Sequence, residues 1–183
     1  MMIERIRREH GYMVRLLAIL NRKLHLLEQE QPINYSIVKE IVDYLANHSE
    51  KVHHPKEDIL YHYFLEKYGE QEQISDLEAD HKALSEKTHS FLDVVEMILK
   101  DAVVPQDIFM DKLSHFIQDQ KRHLDLEEQS VLPLIEKRFT TADWQHVESL
   151  WTVEENDPVF GETIADRYKQ LAERVRQNDN EFV

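Results

Sequence analysis

His53 and Glu57 stand four residues apart, and the same spacing returns at His123 and Glu127, an offset of 70. On a helix a four-residue step stacks two side chains on one face, one turn apart. Imidazole with carboxylate is ligand chemistry for zinc or a transition metal. The surroundings return as well: Glu57-Asp58 becomes Glu127-Glu128, and Leu65-Glu66-Lys67 becomes Ile135-Glu136-Lys137. The spacing alone is weak, because 11 His and 22 Glu among 183 residues make about one His-x-x-x-Glu by chance. Three occur. The third, His62–Glu66, begins about half a helical turn round from His53 at ~100° per residue, so it is expected to be a surface pair.

Two further imidazoles fall into the pattern. His10 takes a core slot in the stripe Ile6, His10, Met13, Leu17, Leu20, Leu24, Leu27, and His81 does so in Ile74, Leu77, His81, Leu84, Thr88, Phe91, Val95, Ile98. Glu9-His10 and Asp80-His81 repeat each other at an offset of 71. His53 belongs to the stripe Val38, Val42, Leu45, Ser49, His53, Leu60, Phe64, and His123 and Glu127 to Phe109, Leu113, Phe116, Gln120, His123, Glu127. A lone inward His is usually a satisfied core residue. Two inward carboxylates are different, because a buried charge needs a partner. Four His and two Glu on inward faces, in duplicate, point to cations. The candidate metal ligands are therefore His10, His53, Glu57, His81, His123 and Glu127. His25 and His146, with His62, read as surface residues. His48, His54, His89 and His115 lie near inner faces but off the shared layer, and read as flanking groups.

Four long helices must position these groups. The stripes predict them over about residues 3–28, 36–68, 73–100 and 107–138. Short connections make neighbours antiparallel, an up-down-up-down four-helix bundle built from an internal repeat of residues 1–69 and 73–139. Pro55 and Pro133 predict kinks, Gly69 a helix end, and Asp107 a cap for the fourth helix. Gly11 costs ~1 kcal/mol inside a helix, which predicts a close neighbour or a packed site there. Residues 140–183 form a C-terminal helical extension packed on the bundle. Within it, Thr140-Thr141-Ala142-Asp143 caps a short helix over about residues 142–151. A last helix over about residues 161–176 packs through Ile164, Tyr168, Leu171 and Val175, and the tail from Gln177 is expected to fray.

Composition agrees with this architecture and narrows the function. Three Gly and five Pro in 183 residues suit an all-α chain with one core. The net charge of −14 argues against nucleic acid and against an anionic membrane surface as partners. The chain has no cysteine, which removes disulfides, thiolate metal sites and cysteine nucleophiles. The N-terminus lacks the apolar stretch of a signal peptide and no apolar run is long enough to span a bilayer, so a cytoplasmic location is expected.

Over about residues 3–139 the chain resembles the hemerythrin-like family, the HHE cation-binding domain. The resemblance rests on Glu9-His10, His53-His54-Pro55-Lys56-Glu57-Asp58, Asp80-His81 and His123-Leu124-Asp125-Leu126-Glu127-Glu128. It implies a bundle holding two non-haem irons joined by an oxo or hydroxo bridge. Glu57 and Glu127 would bridge, His10 and His53 would bind one iron, and His81 and His123 the other. Oxygen-carrying members have a further His one turn after the third-helix His, where this chain has Ser85. Their second bridging carboxylate is an Asp five residues after the fourth-helix His, whereas Glu127 follows at four. Without the fifth His, two equivalent and open metals are expected unless His54, His89 or water fills the gap, and this argues against reversible O2 storage. Relatives that repair iron–sulfur clusters often carry a Cys-containing N-terminal segment, absent here.

The expected function is a metal-binding protein that binds or reacts with O2, peroxide or NO, in sensing, scavenging or iron handling. Its expected partner is a small diatomic ligand or peroxide. One alternative is a metal-stabilised helical binding module. The other is a ferritin-like di-iron oxidase, disfavoured because that class carries more carboxylates than imidazoles.

Overall fold

A computed structural model describes residues 1–152 and 156–180. The first long helix, α1 (Met2–Glu28), follows the expected span. The second begins with α2 (Tyr35–Asp43), whose N-cap Asn34 accepts hydrogen bonds from the Ser36 and Ile37 amides. It continues through a π-helical segment (Tyr44–His53) into α3 (His54–Tyr68). The third is α5 (Leu77–Leu99), preceded by the single turn α4 (Glu72–Ser75). The fourth is α6 (Gln106–Leu126), a second π-helical segment (Glu127–Val131) and α7 (Leu132–Arg138).

Several local expectations need correction. The second and fourth long helices widen into π turns, which periodicity alone did not reveal. Each π segment ends two residues before a proline, Pro55 or Pro133. Proline has no N–H to give to the preceding turn, so the regular ladder is already broken at that place. The third helix is interrupted at Asp76 rather than continuous from residue 73. Pro105, not Asp107, stands at the N-cap of α6, and no side chain caps that end. A Cβ at Gly11 would meet nothing within 4 Å, so no close neighbour explains that glycine. Gly69 ends α3 with φ of 86°, the left-handed region that glycine adopts without a steric penalty.

The stripes are buried as their spacing predicted, with only Leu24 and Ile98 part-exposed. They assemble into two separate apolar clusters. One holds Met13, Leu17, Leu20, Val38, Val42, Leu45, Phe91, Val95, Leu113 and Phe116. The other holds Ile3, Ile6, Leu60, Phe64, Ile74, Leu77, Val131 and Ile135. α1 runs from the second cluster to the first, α2 and α3 run back, α5 repeats α1 and α6 with α7 returns. The bundle is therefore antiparallel, up-down-up-down. Each buried aliphatic side chain contributes ~1.5–3 kcal/mol. Between the clusters the core turns polar.

The extension begins with α8 (Thr141–Leu150), where Thr140 and Asp143 cap each other reciprocally. α8 packs on α3. The last helix starts later than expected: a 3-10 turn (Asp166–Tyr168) leads into α9 (Lys169–Asn180), which packs on α2. Residues 156–165 instead form turns around Asp157, whose carboxylate accepts from the Val159 and Phe160 amides and from the Tyr44 hydroxyl. Tyr168, Leu171 and Val175 join the first apolar cluster, while Ile164 is only half-buried. α9 runs through Gln177 without a break to Asn180, and residues 181–183 lie outside the described residues.

Candidate metal centre

The polar layer contains the six residues singled out by spacing. Ile6 of α1 belongs to one apolar cluster and Met13 to the other, so His10 falls between them. The same logic places His53 and Glu57 between Leu45 and Leu60, His81 between Leu77 and Phe91, and His123 and Glu127 between Phe116 and Val131. All six are buried, and Glu57 and Glu127 are 0% exposed.

Both carboxylates lie between the same imidazoles. His10 Nε2 is 2.8 Å from Glu57 Oε1 and 3.4 Å from Glu127 Oε2. His81 Nε2 is 3.3 Å from Glu57 Oε2 and 3.2 Å from Glu127 Oε1. His53 Nε2 lies 2.9 Å from Glu57 Oε1, and His123 Nε2 lies 3.4 Å from Glu127 Oε1. The Tyr61 hydroxyl donates to Glu127 Oε1 at 2.7 Å.

A second ring of carboxylates holds the imidazoles from behind. Nδ1 of His53 is 2.5 Å from Glu9 Oε2, Nδ1 of His10 is 2.7 Å from Glu128 Oε1, and Nδ1 of His81 is 2.9 Å from Asp58 Oδ1. With Nδ1–H donated outward, a ring that gives up its other proton turns its Nε2 lone pair toward the layer. Glu9 also accepts from the buried ammonium of Lys56 at 2.7 Å. Sequence reasoning assigned Glu9, Asp58 and Glu128 no role. For Asp58 and Glu128 the signal was the repeat itself, since Glu57-Asp58 and Glu127-Glu128 recur together.

Electrostatics reflects the crowding. Burial pushes the His10 pKa down, but hydrogen bonds to Glu128 and Glu57 and the charges of Glu57 and Glu127 lift it to about 10. Burial likewise opposes protonation of His81, and the carboxylates of Asp58, Glu127 and Glu57 override it, raising the pKa to about 12. Burial pushes Glu9 up, while His53 and Lys56 bring it down to about 2. Burial also pushes Glu57 and Glu127 up; the surrounding imidazoles keep both well below the ordinary carboxylate range. A cation entering the layer displaces imidazole protons and takes over their role.

The layer fits a cation on its own terms. His53 Nε2, His123 Nε2, Glu57 Oε2 and Glu127 Oε2 are buried without a hydrogen-bond partner. Such an orphaned polar atom costs ~1–3 kcal/mol, a cost that metal coordination removes. Two sets of ligand atoms each lie within 4.8 Å of one another: His10, His53 and Glu57, and His54, Glu57, His81 and His123. Glu127 is outside both sets although it touches the layer through His81 and Tyr61.

His54 is a correction to its reading as a flanking residue off the layer. Its ring stacks on His81 with centroids 4.1 Å apart and planes at 7°, and meets His123 edge-on at 5.9 Å. Burial, and then the positive charge of His81, push its pKa well below that of a free imidazole. The other histidines stay outside the layer. His48 faces Asp157 at 3.5 Å, His89 pairs with Glu50 at 2.7 Å, and His25, His115 and His146 are exposed. His62 is exposed as expected, but it pairs with Glu78 across to α5 rather than with Glu66.

A cleft of about 240 Å³ lined by Asp80, Lys87, Asp119, Arg122 and Leu126 reaches His123 from one side. Another, of about 460 Å³, reaches Glu9 between α1 and the turns around Asp157. Among the described residues no helix is long and apolar enough to cross a membrane. The family model described as the hemerythrin HHE cation-binding domain matches residues 1–135. No curated protein and no solved structure matches the chain.

Proposed function

The chain belongs to the hemerythrin HHE cation-binding family, and from that premise we propose that it is a non-haem di-iron protein that binds or reacts with O2, peroxide or NO. One observation carries the reading: His10 and His81 each approach both Glu57 and Glu127, so the two carboxylates span a space lined by imidazoles on either side. Carboxylates placed between two sets of imidazoles suit a bridged pair of cations better than a single tetrahedral one. His10 and His53 would hold one iron and His81 and His123 the other, with Glu57 and Glu127 shared and an oxo or hydroxo group completing the bridge. Bound iron supplies the electrons and the coordination positions that the side chains lack.

The protein's own residues set the conditions. Glu9, Asp58 and Glu128 fix imidazole orientation, and Tyr61 holds one oxygen of Glu127. The two apolar clusters close the layer from both ends. Complete burial of both carboxylates favours a reactant of a few atoms over a bulky one. Sensing, scavenging or iron handling are the roles such a site serves.

The test is expression in iron-replete cells, followed by metal analysis and a visible–ultraviolet spectrum with and without azide. About two irons per chain are expected, with strong near-ultraviolet charge transfer that shifts on azide. One tightly held, colourless zinc would sink the reading.

A further inference from the structure

We propose that His54 is a fifth imidazole ligand, which closes the metal position of His81 and His123 and leaves that of His10 and His53 open. This rests on the two-metal reading above and changes its symmetry. A ring nitrogen of His54 lies within 4.8 Å of ligand atoms from Glu57, His81 and His123. Its ring stacks on that of His81 and meets that of His123 edge-on, so three imidazoles from two long helices and α5 lie side by side.

The internal repeat breaks at this residue. The offset of 70 that carries His53 onto His123 and Glu57 onto Glu127 carries His54 onto Leu124. Leu124 is buried in an apolar cluster and has no atom that can bind a metal. The backbone breaks symmetry at the same point. In the first repeat the π segment ends at His53, just before His54. Bonding from i to i+5 spreads more residues over each turn, so neighbouring side chains are separated by a smaller angle and both histidines reach inward. In the second repeat the π segment starts only at Glu127, and His123-Leu124 sit on regular α-helix. There a step of ~100° turns the second residue away. Ser85, one turn after His81, is engaged with Glu50 instead.

Mössbauer spectroscopy and azide titration of the iron-loaded full chain test this. The wild type should show two inequivalent iron environments of equal area and bind one azide per iron pair. His54→Leu, which copies Leu124, should either make the two environments converge and admit a second azide, or release one iron. His89→Leu should behave as wild type. A single environment in the wild type overturns the proposal without recourse to a variant. So does a His54→Leu protein with the wild-type spectrum and azide stoichiometry. A wild type with no iron pair fails the two-metal reading itself, which metal analysis reports separately.

Discussion

Asp58 Oδ1 sits 2.9 Å from Nδ1 of His81, and the link crosses from one half of the repeat to the other. Glu128 makes the reciprocal link to His10 at 2.7 Å. In each half, the residue after the central glutamate orients the lone histidine of the opposite half. These carboxylates should tune metal affinity without being ligands. Asp58→Ala and Glu128→Ala are expected to weaken metal binding by ~10–100-fold in chelator competition while still filling at saturating metal. Unchanged affinity would rule out the orienting role, and complete loss of metal would point to direct ligation.

Glu57→Ala and Glu127→Ala should lose far more metal than His62→Ala or His25→Ala. The two glutamates are wholly buried in the layer, whereas both histidines are exposed and face other carboxylates at the surface. Metal analysis of the four purified variants checks this, and equal contents would refute the assignment.

Removing the metal should lower the melting temperature. The metal-free layer keeps four orphaned polar atoms and two buried carboxylates offset by imidazole protons and, at Glu127, the Tyr61 hydroxyl. Metal at 100-fold over its dissociation constant adds ~2.7 kcal/mol, and at ~2–4 °C per kcal/mol for a chain of this size the shift is ~5–10 °C. Thermal unfolding before and after chelation measures it. An unchanged melting temperature would mean that metal binds elsewhere.

Asp143 offers a pH-dependent prediction remote from the centre. Its buried carboxylate accepts from Lys67, Tyr63, Tyr68 and Thr140, joining α3 to α8. Burial pushes its pKa up, but those bonds, led by Lys67 and Tyr68, hold it far below the usual carboxylate range. A depressed folded pKa gives stability that is present above the unfolded value of ~3.9 and lost as pH falls through the folded one. Asp143→Asn should therefore destabilise most near neutrality, with the gap to wild type narrowing in acid. Denaturant midpoints across pH 2–7 would show it, and a pH-independent gap would contradict it.

Much of this molecule was legible in the sequence because helical burial is periodic. Steps of three and four placed one core stripe on each long helix, though not the flanking buried residues such as Leu16, Ile41, Tyr61 and Leu132, and a polar residue in such a stripe is conspicuous, which is why His10, His53, Glu57, His81, His123 and Glu127 stood out. The capping pair Thr140 and Asp143 was readable for a similar reason, since its partners are three residues apart.

Tertiary structure decided what depends on helix phase and on contacts between distant segments. A π turn leaves no mark in a hydrophobic stripe, and the one that ends at His53 stands just before His54, whose ring meets that of His81 although spacing sets it off the layer. Asp58, Glu128 and Glu9 bond histidines 23, 118 and 44 residues away. No local spacing encodes such pairs, because their distance is set by the packing of separate helices. The sequence alone determined one inward stripe on each long helix and pointed to a cation among its polar residues. Only the assembled bundle decided which imidazoles share a space with which carboxylate, because that depends on how the four helices stand in height and rotation against one another.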